Sequence, residues 1–276
     1  MLLINSLSLT SNVNAWLANS RQPRVLHVFE SACNLINEHK DVLSVVSQRI
    51  GDGPFNLVVE DNVIFLDHLS LESPISNFPN GLKIGDLTIN TQNARLWSPR
   101  QDWKILYARR ENVLALLPPL PVTNYEFLVS NLQLFNLLAS ALVNADLPAS
   151  INATQKLAGL GIGLTPSGDD FIMGAILAAW IIHPADVAEV LAVEVTEVAA
   201  PLTTSLSGAW LRSAGRGEAG ILWHQFFEAL ISADQTSIQE SMDKILSVGE
   251  TSGADALSGF VSSFAAWSVE ESTKHE

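Results

Sequence analysis

The sequence predicts an α+β protein: a small N-terminal antiparallel β-barrel or sandwich over residues 1–121, then an α-helical domain over 122–276. Three observations carry this prediction. Short apolar runs broken by Gly, Pro, Asn and Asp fill the first region, whereas longer Ala- and Leu-rich runs fill the second. Three prolines in Pro118-Pro119-Leu120-Pro121 stand between them, where neither a helix nor a central strand continues. Charge changes at the same place: residues 1–120 hold ten Lys/Arg against eleven Asp/Glu, and residues 121–276 hold five against eighteen.

In the first region a short helix is expected at Val13 to Ala18. Strands are expected at Arg24–Glu30, Val42–Ile50, Phe55–Glu60, Asn62–Leu66, Leu82–Asn90 and Ala94–Trp97. Gly51-Asp52-Gly53-Pro54 and Phe78-Pro79-Asn80-Gly81 read as breakers between them. In the second region the apolar pattern predicts helices over Glu126–Asn144, Asn152–Ala158, Asp169–Ile182, Pro184–Ala199, Leu202–Ala214, Glu218–Ile231, Ser237–Leu246 and Asp255–Val269. The Asp169–Ile182 helix is rich enough in Ala and Leu to be buried.

Composition excludes several classes of protein. Of 276 residues, 47% are hydrophobic and only 16% charged, which rules out disorder as the main state. The single cysteine, Cys33, forms no internal disulfide and reads as a small packed hydrophobe. A net charge of −14 repels phosphate backbones, so no nucleic-acid partner is expected. The longest apolar run, Phe171 to Ile182, falls short of the roughly 20 residues that span a bilayer, so no membrane partner is expected either. The N-terminus lacks a basic flank before its short apolar stretch, and a cytoplasmic protein is expected. The six histidines show no ligand spacing, and no nucleophile elbow is present.

The densest stretch is Gly159-Leu-Gly-Ile-Gly-Leu-Thr-Pro-Ser-Gly-Asp-Asp170. Its glycines expose backbone N–H groups before a helix start, a setting that favours an anion. It lacks the Lys of a nucleotide-binding loop and the spacing of a dinucleotide fingerprint. Part of it recurs: Ser167-Gly-Asp-Asp-Phe-Ile-Met-Gly174 and Ser252-Gly-Ala-Asp-Ala-Leu-Ser-Gly259 align without a gap, matching at Ser, Gly, Asp and Gly. One reading makes each Ser-x-x-Asp a helix cap and each final Gly a point of close packing. The other makes both motifs parts of one site, because three glycines and a second carboxylate, Asp169, exceed what a cap needs. On that reading the helices starting near Ser167 and Ser252 converge. Arg212 and Arg216 are the only cations between Leu157 and Met242. They are either surface partners of nearby acids such as Glu218 or holders of a carboxylate or phosphate.

The Gly159–Phe171 stretch resembles the signature of the AllH family of bacterial proteins, which includes a subunit of the oxamate carbamoyltransferase of anaerobic allantoin degradation. Thr203-Thr-x-Ser-x-x-x-x-Leu-x-x-Ala214 and Gly249-x-Thr-Ser-Gly-x-Asp-x-Leu-x-Gly259 are similar to its second and third motifs. The pattern departs at Glu250, where the family often has His. The resemblance implies the reaction of oxalurate and phosphate to oxamate and carbamoyl phosphate, with partner subunits and a small anionic metabolite as substrate. Candidate substrate-binding residues are Gly161, Gly163, Thr165, Ser167, Gly168, Thr204, Ser207, Arg212, Thr251, Ser252 and Gly253. Asp169, Asp170 and Asp255 are the candidate catalytic residues. They would repel an anion unless a Mg²⁺ bridges them or they hold the loops by hydrogen bonds. The alternatives are a non-catalytic assembly subunit and a stand-alone metal-dependent enzyme acting on a small phosphorylated or carbamoylated metabolite.

Overall fold

The computed structural model describes residues 2–61, 63–117 and 125–274, with side chains described outside 125–130 and 271–274. The chain divides into two compact units, Met1–Pro99 and Arg100–Glu276. The prolines at 118–121 lie outside the described residues. The units part at Pro99 because α2 (Trp103–Ala108) and α3 (Arg110–Leu116), not foreseen in the sequence, bury Trp103, Leu106 and Val113 in the helical core.

The first unit is a nearly closed β-barrel with one helix, α1 (Ser11–Asn19). Its strands are β1 (Leu2–Leu9), β2 (Arg24–Val28), β3 (Ala32–Ile36), β4 (Val42–Ser47), β5 (Asn56–Val59), β6 (Ile75–Phe78), β7 (Gly81–Ile84), β8 (Leu87–Asn90) and β9 (Arg95–Leu96). They run in the order β2-β3-β4-β5-β1-β8-β7-β6, with β9 on β1. The α+β class is as expected, but the sheet is mixed: β1 is parallel to β8 and β9, and β4 is parallel to β5. β1 joins the two halves, pairing β8 through Leu2–Asn5 and β5 through Ser6 and Ser8. Its two serines and one asparagine hid it from hydropathy. The strand expected at Asn62–Leu66 is corrected, apart from Asn62, which lies outside the described residues. Phe65–Asp67 forms a 3₁₀ turn, with Val63 and Phe65 buried and Ile64 and Leu66 exposed, so the residues alternate without a strand partner. Cys33 is fully buried in β3, and burial pushes its thiol up to about 12, as suits a packed hydrophobe.

The second unit continues with α4 (Tyr125–Val143), α5 (Leu147–Leu157), α6 (Ser167–Ile182), α7 (Ala185–Ala199), α8 (Ser205–Gly215), α9 (Ile221–Ser232), α10 (Gln235–Leu246) and α11 (Ser252–Lys274). Helix α6 is its axis and is buried along nearly all its length. Trp180 stacks on Trp103 at 5.8 Å, and the indole N–H groups donate to the carbonyls of Ala214 and Gly217. Each large ring thus enters the core with its polar atom satisfied.

Helices α6 and α11 lie side by side in the same sense. A Cβ built on Gly174 would strike the Ala256 carbonyl oxygen, and one built on Gly259 would strike that of Phe171. These two approaches are equivalent under a shift of one motif onto the other. The equivalence extends upstream: Gly168 backs onto the Leu157 carbonyl and Gly253 onto the Ile245 carbonyl. Gly168 N–H donates to Leu160 O at 2.8 Å, and Gly253 N–H to Val248 O at 3.1 Å. The repeat is therefore α5–loop–α6 and α10–loop–α11.

Candidate functional site

The starts of α6 and α11 meet in a ring of four side chains. Asp170 on α6 faces the Ser252 hydroxyl on α11, and Asp255 on α11 faces the Ser167 hydroxyl on α6. Within each helix Ser and Asp stand three residues apart, so they share a face, and the two faces exchange partners. Thr165 joins the ring: its Oγ1 lies 2.8 Å from Ser252 Oγ. The Thr251 hydroxyl supports Asp255.

This arrangement corrects the reading of Ser167 and Asp170 as a capping box. Pro166 holds the cap position of α6 and no side chain caps that helix. Ser167 is its first residue, and its hydroxyl is directed to the carboxyl of the other helix instead. In α11, Asp255 N–H donates to Thr251 O at 2.9 Å, which places Thr251 rather than Ser252 before the first turn.

Asp169 serves elsewhere. It accepts hydrogen bonds from the Gly159 N–H at 2.8 Å, from the Ser207 hydroxyl at 2.7 Å and from the Thr203 hydroxyl. It thereby ties the glycine loop to the start of α8. Thr204 adds a second tie: its Oγ1 donates to Leu164 O at 2.5 Å and accepts from Ser207 N–H at 3.1 Å as the N-cap of α8. Thr203 stood in the sequence as the first residue of the second motif but not among the candidate site residues, because its carboxylate partner lies 34 residues away in the chain. Replacing Asp169 by alanine removes three bonds to a charged acceptor and leaves Ser207 Oγ buried. A loss of about 3 kcal/mol or more is expected, since such bonds contribute roughly 1.5–3 kcal/mol each. Hydrogen exchange at the Gly159 amide should accelerate together with the fall in denaturation midpoint; retained protection there would show that Asp169 does not anchor the loop.

The loop itself is open. Gly161, Ile162 and Gly163 are exposed, Ile162 at 93%. Gly161 has φ +125° and its α-carbon face lies against Ser167 N, so a side chain has neither the torsion nor the room there. Among the described residues the amides of Gly161, Ile162 and Gly163 bond to no other group.

Burial raises all three carboxyls. Asp170 is pushed up to about 8 by burial and by the charges of Asp255 and Asp169, against the lowering effect of Ser252 and Thr165. Asp255 is raised by burial and partly restored by Ser167 and Thr251. Asp169 is raised by burial and restored by its donors. Asp170 Oδ2 and Asp255 Oδ2 are buried and have no hydrogen-bond partner. Among the described residues no group of three His, Cys, Asp or Glu is arranged to hold a metal ion. With Asp169 taken up by its three donors, a Mg²⁺ bridge across all three aspartates does not fit this arrangement.

Arg212 Nε lies 3.7 Å from Glu197 on α7, and Arg216 lies 2.8 Å from Glu218. Both arginine side chains are partly exposed, and each lies near an acid. Glu250 is exposed at the end of the second loop.

Two family models match the chain. The AllH family N-terminal domain matches residues 5–96, and oxamate carbamoyltransferase subunit AllH matches residues 157–264. The chain belongs to the AllH family. No solved structure matches it. The N-terminal AllH match runs from within β1 to the end of β9. The second AllH match starts at the last residue of α5 and ends within α11, so it contains both halves of the ring, the glycine loop and its ties to α8. No helix among the described residues is long and apolar enough to cross a membrane.

Proposed function

We propose that this chain is a subunit of an oxamate carbamoyltransferase-type complex and contributes to the site where oxalurate and phosphate become oxamate and carbamoyl phosphate. In that reaction a phosphate oxygen bonds to the ureido carbon. The bond from that carbon to the oxamate nitrogen breaks, and the departing nitrogen takes a proton. The observation that carries the reading is the joining of the two AllH motifs in one buried ring at two converging helix starts.

The chemistry of the residues suits the reaction. The free amides of Gly161 to Gly163, beside the start of α6, supply donors for carboxylate or phosphate oxygens. Asp170 holds its proton near neutral pH and is a source for the departing nitrogen. Thr165, Ser167, Thr251 and Ser252 line the ring with hydroxyls, Gly168 and Gly253 let α6 and α11 start close against the helices before them, and Thr204 and Ser207 tie the glycine loop to α8.

Partner subunits complete the proposal. Exposed Ile162 at the loop tip, with Leu202 at 51% and Val248 at 43%, gives the site apolar points for a neighbouring subunit to cover. The isolated chain should form little or no carbamoyl phosphate from oxalurate and phosphate, and the assembled complex should form it readily. Robust turnover by the purified chain alone would overturn the subunit reading. An inactive complete complex would overturn the reaction.

A further inference from the structure

The ring contains two acceptors that nothing in the chain satisfies. Asp170 Oδ2 and Asp255 Oδ2 are buried without a donor, on side chains only 6% and 4% exposed. Buried polar atoms are ordinarily paired, and a bare carboxyl oxygen costs free energy until a donor reaches it. The two atoms sit on equivalent residues of equivalent helices, in a ring whose remaining members are hydroxyls already engaged with one another or with the carboxyls.

Three kinds of occupant differ in fit. An anion is repelled by the carboxyl oxygens. A metal cation meets the positive ends of two helices that point at the same place, and the third carboxylate, Asp169, is saturated by Gly159, Thr203 and Ser207. A neutral group with two N–H bonds fits both constraints: it carries no charge for the helix ends to oppose, and it has one hydrogen for each orphaned oxygen.

We propose that Asp170 and Asp255 together receive the NH₂ of a primary amide or ureido group, so that this pair reads the donor end of the ligand. The inference rests on the carbamoyl-transfer reading and deepens it. The glycine-loop amides take the anionic end, and the aspartate pair takes the end that distinguishes a carbamoyl compound from an ordinary small acid.

The test compares oxamate with pyruvate, which has a methyl group in place of the NH₂, by calorimetric titration of the full chain. Where neither binds the chain alone, the same pair is compared as inhibitors of the assembled complex. Oxamate should bind or inhibit at least about tenfold better than pyruvate. Asp255→Asn and Asp170→Asn, which keep the side-chain volume, should bring the ratio within about twofold. Equal action of the two compounds, no action of either in both formats, or a ratio untouched by both variants would overturn the proposal. So would a Mg²⁺ requirement for the preference. Selective oxamate binding in a complex that makes no carbamoyl phosphate would retire the reaction and keep the amide site; turnover without selectivity would do the reverse.

Discussion

Gly174→Val should leave little folded protein. The α-carbon of Gly174 faces the backbone of α11, where any Cβ would collide with the Ala256 carbonyl oxygen and press on Phe260 N. The obstacle is main chain, so no rotamer change relieves it, and α6 and α11 must separate along the seam that forms the ring. Overpacking with flexible neighbours typically costs about 1–3 kcal/mol. A rigid collision between central helices exceeds that and takes a large share of the roughly 5–15 kcal/mol that stabilises a domain. Gly259→Val should behave the same way, because it meets the Phe171 carbonyl oxygen. Val190→Ala, at a 55% exposed position of α7, is the control and should stay within about 0.5 kcal/mol of the parent. Soluble yield and the urea midpoint measure all three. A Gly174→Val protein that unfolds cooperatively near the parental midpoint would show that the helices do not touch there.

The second large effect is on the pH dependence of stability. An unfolded aspartate titrates near 4, and Asp170 in the folded chain is pushed up to about 8 by burial and by its acidic neighbours. Below about pH 4 both states carry the proton, and the folded state keeps its full advantage. Between about 4 and 8 the folded state holds a proton that the unfolded state has released, so stability falls as pH rises, by about 1.4 kcal/mol per pH unit for one proton. Asp255 and Asp169 are raised in the same direction and add to the slope. Asp170→Asn removes one contributor. Relative to the parent, the variant should therefore gain about 2 kcal/mol or more between pH 5 and pH 8, measured by chemical denaturation at fixed ionic strength. Parallel curves for the two proteins would mean that Asp170 titrates alike in the folded and unfolded states.

What could be read in advance follows from the range of the forces involved. The buried character of α6 was legible because its composition, from Phe171 to Ile182, leaves no polar face. The helices α7 to α11 were legible within a few residues for the same reason, since their apolar periodicity is local. β1 was not legible: its LLINSLSL pattern is interrupted by Asn5, Ser6 and Ser8, and it becomes a strand through pairing with β5, β8 and β9, all distant in sequence. At the site, the match of Ser, Gly, Asp and Gly marked the residues that meet at the starts of α6 and α11. The local reading as two separate capping boxes had Ser167 facing its own helix.

The sequence by itself therefore determined that this is an α+β chain with a strand-rich first part and an acidic helical second part, and that one motif occurs twice in the second. Those properties are sums over neighbouring residues. Only the tertiary structure decided that Asp170 meets Ser252 and Asp255 meets Ser167, that Asp169 is withdrawn to α8, and that two carboxyl oxygens are left without donors. Hydrogen bonds and charge interactions act over a few ångströms, and the sites at Ser167 and Ser252, 85 positions apart, are brought within that range only when Gly174 and Gly259 let two backbones close on each other.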